Sequence, residues 1–106
     1  MGEPVTLGDL QHLVMLAVAR LGEDAYGGAA QEELRRVAGR DVSVSTVYVT
    51  LVRLEEQGLV TSEQAAPGGG GVGRPRRYFS ITPEGWEALR ASRSELDQMW
   101  RGVEPA

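Results

Sequence analysis

The chain contains no cysteine and no lysine, one histidine and few aromatic residues, and each shortage narrows what it can be. Without cysteine, a disulfide framework and a thiolate zinc site are both excluded, and a reducing compartment suits the composition. His12 alone cannot furnish a mononuclear metal site. It lies in an apolar stretch with no serine or acid at an evident partnering spacing, so no constellation asks for catalysis, and no metal or cofactor is expected. Aromatics make up 6% of the 106 residues, so the core must be mainly aliphatic. No apolar run approaches the roughly 20 residues that span a bilayer, and the N-terminus shows no basic, apolar and small-residue leader. The expectation is a cytoplasmic protein that does not engage membrane.

What is present fits one compact domain. A domain this small buries a limited fraction of its surface, and pairing with a second copy would add to it. The net charge is -4, which alone argues against nucleic acid, because phosphate binding needs cations. Position matters more than the sum. All basic residues are arginine, and the one dense cluster is Arg74, Arg76 and Arg77. The acids gather elsewhere, at Glu23-Asp24, Glu32-Glu33, Glu55-Glu56 and along the last helical stretch. A net acidic chain can therefore still present one basic edge.

The periodicity predicts helix, helix, helix, hairpin, helix. A first helix over about Thr6 to Leu21 starts from Thr6 as N-cap with Asp9 in its first turn and stops at Gly22. It is apolar around much of its girth, which predicts extensive burial. A second, about Gly27 to Ala38, places Ala30, Leu34 and Val37 on one face and ends at Gly39. Asp41-Val42 could supply one short strand rung. Ser43 is a good N-cap for a third helix that turns Val47, Leu51 and Leu54 inward and ends at Gly58. Leu59 to Ala66 and Arg76 to Ile81 read as strands around a segment, 67–73, too glycine-rich for a regular element. Thr82-Pro83-Glu84 is a strong start for a fourth helix reaching about Val103. The fold class is α+β, mostly α: a winged helix-turn-helix over 1–81, with 82–106 a C-terminal helix of the same compact unit.

Two successive short helices with a tight connection suggest that the second enters a major groove with its N-terminal end forward. That end carries Ser43, Ser45, Thr46, Tyr48, Val49 and Thr50, with Arg53 one turn on. Small hydroxyl residues permit close approach to phosphates and base edges. Taken alone, this is equally a capped surface helix with β-branched residues. The hairpin alters the balance, because Arg74, Arg76 and Arg77 follow the helix pair at the spacing of a wing, and arginine forks bind phosphate oxygens well. A nucleotide-binding P-loop is a poor alternative, since no Gly-Lys-Ser/Thr follows the glycines. In the fourth helix Trp86, Leu89, Arg93, Leu96, Trp100 and Val103 recur alternately three and four apart, a heptad seam. The helix either folds back on its own core or pairs with a twin subunit. Two-fold pairing would set two recognition helices roughly 34 Å apart, one turn of DNA.

These residues carry a resemblance. Tyr26-Gly27, Val44-Ser45-Thr46-Val47-Tyr48, the run Leu51 to Val60, Gly73-Arg74-Pro75-Arg76-Arg77-Tyr78-Phe79 and Ile81-Thr82-Pro83-Glu84-Gly85, in this order and at these spacings, resemble the PadR family of bacterial transcriptional regulators in its short form with one C-terminal helix. The resemblance covers about Leu7 to Trp100. It implies a winged-helix homodimer that binds double-stranded DNA at a palindromic operator, usually as a repressor. It implies that Ser45, Thr46 and Tyr48 face DNA, with Tyr48 near a phosphate, that Tyr26 touches the DNA backbone, and that Arg74, Arg76 and Arg77 form the wing. The last helix together with the first, through Leu10, Leu13 and Val14, matches the family's dimer interface. Some relatives hold a planar aromatic effector between tryptophans there, a role open to Trp100 and, less so, Trp86, although both also suit plain packing. Two departures stand out. Val49 replaces the proline that often follows the helix-three tyrosine, and the wing tip is longer and richer in glycine than usual. The net acidity also supports a second reading, a winged helix that binds protein and not DNA.

Overall fold

A computed structural model describes residues 7–65 and 76–103. Helix α1 (Asp9–Leu21) is entered through Gly8, whose N–H donates to the Gln11 side chain at 2.9 Å, with Asp9 complementing the positive end of the helix dipole. It thus starts three residues after the expected Thr6, which lies outside the described residues. Val14, Met15, Ala17 and Val18 are buried, but Leu16 stays 38% exposed, so the helix keeps an uncovered apolar face that its all-round apolarity had not foretold. Gly22, at φ +60, ends it, and one 3₁₀ turn (Gly22–Asp24) leads to α2 (Gly27–Ala38).

Both bounds of α2 match the sequence reading. Gly39 takes the left-handed conformation, its N–H bonds to Arg35, and the Arg40 N–H reaches back to Leu34, so the orphan carbonyls of the last turn are satisfied. Ala30 and Leu34 are buried, whereas Val37, expected with them, is 49% exposed. It falls beyond the arc that meets the core and instead lines a groove with Leu13 and Leu16. Helix α3 (Val44–Glu56) is capped by Ser43, whose hydroxyl accepts the Thr46 N–H at 3.1 Å, and Val47, Leu51 and Leu54 are fully buried as their spacing requires. It stops at Glu56, and Gly58 turns the chain at φ +78.

The hairpin pairs β1 (Val60–Ala65) with β2 (Arg76–Ile81), antiparallel, from Val60 opposite Ile81 to Ala65 opposite Arg76. Leu59, expected to open β1, gives its N–H to Leu54 and closes α3; Ala66 and the glycine-rich stretch lie outside the described residues. Asp41-Val42 makes no strand rung, because the Val42 carbonyl accepts from the Gln31 side chain at 2.9 Å. The wing meets the helical body earlier in the chain, where the Phe79 N–H donates to the Ala25 carbonyl at 2.8 Å. Phe79, 1% exposed, completes a core otherwise made of aliphatic side chains, alanines and Met15 from all four helices, with Ala25, Leu59 and Val60.

Helix α4 (Pro83–Trp100) follows β2 after the single residue Thr82. The Thr82 hydroxyl donates to the Gly58 carbonyl at 2.7 Å and accepts the Gly85 N–H at 3.0 Å, while its own N–H bonds to Leu59. A Cβ on Gly85 would lie 2.1 Å from the Leu59 carbonyl oxygen, so only glycine permits this approach. Ala88 and Leu89 join the core, and then the helix leaves it: Leu96, Met99 and Trp100 are more than half exposed. It ends at Trp100, short of the expected Val103, which sits in a following turn near Gly102 at φ +75. Gly85→Ala forces backbone apart, and overpacking of this kind costs about 1–3 kcal/mol; urea unfolding will show a lowered midpoint, whereas Gly27→Ala, where a Cβ in the first turn of α2 meets the Tyr48 and Val44 side chains at an ordinary 3.8 Å, will not lower it.

Candidate nucleic-acid interface

Strand alternation distributes four consecutive residues of β2 between two partners. Arg76 and Tyr78 meet Tyr26, the residue before α2: the Arg76 guanidinium lies 4.2 Å from the centre of the Tyr26 ring, and the Tyr78 ring stands edge-on to it at 5.7 Å. Arg77 and Phe79 meet α3. Phe79 packs edge-to-face with Tyr48 at 6.3 Å. Arg77 donates from Nε to the Ser62 hydroxyl at 2.8 Å, from Nη1 to the Tyr48 hydroxyl at 3.1 Å, and from Nη2 to Glu55 at 2.5 Å. The wing base is thereby held against the start of α2 on one side and against α3 on the other. Both guanidinium groups are kept more firmly protonated than usual, Arg77 chiefly by Tyr48 with Glu55 adding to it, and Arg76 chiefly by Tyr78 and then Tyr26.

The N-terminal half of α3 is open. Val44, Ser45, Thr46, Tyr48 and Val49 are exposed, as is Arg53 further along. Two hydroxyls are committed locally: Ser43 caps the helix and donates to the Thr46 hydroxyl, and Thr50, half-buried, donates back to the Thr46 carbonyl at 2.8 Å. Ser43 and Thr50 therefore shape the helix tip, and the outward-facing set narrows to Ser45, Thr46, Tyr48 and Val49.

Charge pairing sorts the arginines. Glu33 accepts from Arg20 and Arg36, which hold its carboxyl below the usual range; Arg35 pairs with Glu32, Arg40 with Asp9 and, loosely at 3.9 Å, Arg93 with Asp97. Among the described residues Arg53, Arg76, Arg90 and Arg101 have no carboxylate partner. Arg53 and Arg76 thus keep their charge for an anion. Arg77, expected to contact phosphate, is instead in an ion pair, since the inward face of β2 turns it onto Glu55. Arg74 lies outside the described residues.

The residues expected at a subunit interface separate in the same way. Val14 and Leu89 are 0% and 4% exposed, so they belong to the subunit's own core and offer no surface to a partner. Their positions in the periodic pattern fit either role, and their burial in the single core decides it. Leu10 and Leu13 are half-buried, while Trp86, Arg93, Leu96, Trp100 and Val103 are exposed. Both tryptophans line one groove of about 440 Å³ between α1 and α4, together with Leu16, Leu96, Arg90 and Arg93. His12, at the groove floor, hydrogen-bonds Ser92 across the two helices at 2.8 Å.

A sequence model of the transcriptional regulator PadR-like family matches residues 15–91. The chain belongs to this family. Transcriptional regulator Rv3488 of Mycobacterium tuberculosis is 40% identical over 80 residues, 76% of this chain and 70% of that protein. The crystal structure of a PadR family transcriptional regulator from Eggerthella lenta superposes with a TM-score of 0.69 at 36% identity, covering 90% of this chain and 82% of that one. Bacillus subtilis PadR, solved in complex with operator DNA, shares the fold at TM-score 0.66 and 19% identity, over 92% of this chain and 49% of its own. The PadR-like chain is thus a transcriptional regulator with a winged-helix fold, and the family is not one of enzymes. The sequence reading missed Glu55, Ser62 and Tyr78. Glu55 lies seven residues after Tyr48, on the same helical face, a spacing that could have marked it as a partner for whatever holds Tyr48. Ser43→Ala removes the cap of the exposed helix and is expected to cost about 1 kcal/mol, measurable as a lowered denaturation midpoint.

Proposed function

We propose that this PadR-like regulator binds palindromic operator DNA as a homodimer in the cytoplasm and acts as a repressor. The observation that carries the reading is the junction of wing and α3: the contacts of Tyr26, Tyr48 and β2 bring Arg76, which has no carboxylate partner among the described residues, and an exposed hydroxyl-bearing helix tip onto one connected surface. Ser45, Thr46, Tyr48 and Val49 then meet the major groove, and Arg53, Arg74 and Arg76 meet phosphates. Bacillus subtilis PadR, which shares this fold, is itself an operator-binding protein, in keeping with DNA as the partner. The protein-binding alternative drew on the net acidic charge and on acidic patches of α2 and α4; both acids of α2 are neutralised by Arg20, Arg35 and Arg36, which removes the first patch from its support and leaves that of α4.

Pairing of subunits follows from α4. Leu96, Met99 and Trp100 extend beyond the core with nothing among the described residues to cover them, and with Leu16 they offer an apolar stripe to a second copy. The groove that holds Trp86 and Trp100 would then be roofed by the partner and admit a planar aromatic effector.

Three outcomes are expected. Gel shifts with the promoter region of its own gene will show binding that weakens steeply with salt, and Arg76→Ala will lower the slope of log K against log salt by about one, as loss of a single phosphate contact requires. No shift at low salt with a folded dimer would favour the protein partner. Leu96→Glu combined with Trp100→Glu will shift sedimentation from dimer to monomer and weaken operator binding at least tenfold; an unchanged dimer would remove α4 from the interface.

A further inference from the structure

We infer that Arg77 is a positioning residue, one half of a latch with Glu55 that fixes the Tyr48 hydroxyl and the tilt of the wing, and that it leaves phosphate contact to Arg76. The consequence for DNA rests on the function proposed above; the latch itself is a property of the free protein.

A guanidinium grips phosphate best with two parallel N–H groups. In Arg77 the edge formed by Nε and Nη2 is already taken, by Ser62 and Glu55. The Ser62 hydroxyl donates onward to the second oxygen of the same Glu55 carboxylate at 2.8 Å, so arginine, serine and glutamate close a ring in which both carboxylate oxygens are used. The two charged side chains are only 34% and 28% exposed. A phosphate arriving at Arg77 would have to displace the carboxylate and leave it unpaired beside another anion, which like-charge repulsion and desolvation both oppose. Arg76, one residue earlier, is in the opposite condition: it is exposed, has no carboxylate partner among the described residues, and rests on the face of Tyr26, whose neutral ring competes less with a phosphate than a carboxylate does.

The remaining bond gives the latch its purpose. Arg77 Nη1 donates to the Tyr48 oxygen, so that oxygen acts as acceptor and the phenolic proton is left as the group to be donated. A phosphate oxygen needs such a donor, and hydrogen bonds in series reinforce one another. The same guanidinium joins α3, β1 and β2 at one point. Losing it frees both the Tyr48 hydroxyl and the angle at which Arg76 is presented.

Two measurements test this on the full chain. In a thermal or urea double-mutant cycle at fixed protein concentration, Glu55→Gln and Arg77→Met are each expected to lower the midpoint, and the double variant to fall no further than the worse single one. Fully additive losses would overturn the latch, whatever the protein binds. In salt titrations with a duplex carrying the promoter region, Arg77→Met is expected to weaken binding about tenfold with an unchanged salt slope. Arg77→Lys is expected not to restore affinity, because an ammonium cannot reproduce three directed bonds; Tyr48→Phe added to Arg77→Met should cost little more. A slope lowered by about one in Arg77→Met and recovered in Arg77→Lys would identify a phosphate contact and overturn the assignment. If the unmodified protein shows no salt-dependent binding, the DNA reading fails, and the cycle alone decides the latch.

Discussion

Phe79 is the constraint on which the rest of the molecule turns. Its ring is the one phenylalanine in the chain and fills the centre of a small aliphatic core, its N–H bonds to Ala25, and its edge meets Tyr48. Once that residue is pinned, the pleat of β2 leaves little freedom to its neighbours. Arg77, two residues back, must face α3; Tyr78 and Arg76 must face the start of α2. A slip of one residue in register would exchange these roles, presenting Arg77 to Tyr26 and withdrawing Arg76 from it. The arrangement of charge on the wing is thus a by-product of burying one aromatic ring.

The element order and most boundaries were legible from the sequence because punctuation marks them: Gly39 after α2, Ser43 before α3, Thr82-Pro83 before α4. The inward positions of α3 followed from spacing alone. What failed to follow depended on contacts between distant segments. Val14 and Leu89 fit an interface stripe and a core stripe equally well, and only the packing of α1 against α2, α3, β2 and α4 decides for the core. Val37 sits on the apolar side of its helix, but no element reaches over to cover it. The strand rung expected at Asp41-Val42 lost to a side chain, since Gln31 satisfies the carbonyl that a strand would have needed. The wing arginines looked equivalent because sequence shows their proximity and not the carboxylate, 22 residues away, that pairs with one of them.

That pairing also bears on how an acidic protein approaches a polyanion. Five of the ten described arginines are spent within the fold, on α2, at the N-terminus of α1 and behind the wing. Isolated exposed pairs contribute little to stability, typically about 0–1 kcal/mol each, but they cancel local fields. The residual field comes from the few arginines without partners, so attraction is confined to small areas and not spread over the surface. Such a chain discriminates by where it is cationic more than by how cationic it is.

The one-residue joint between β2 and α4 has a mechanical meaning. With Thr82 bonded to Gly58, Leu59 and Gly85, and with no room for even a methyl group between helix and loop, the joint contains no slack. An 18-residue helix is a lever about 27 Å long. Displacement of its free end by a couple of ångströms tilts its root by only a few degrees, but the root is continuous with the strand that carries Arg76 to Phe79. Torque applied at Trp100 is therefore shared between the body, through Leu89 and the His12–Ser92 bond, and the cationic hairpin, through a stiff joint that glycine alone can form.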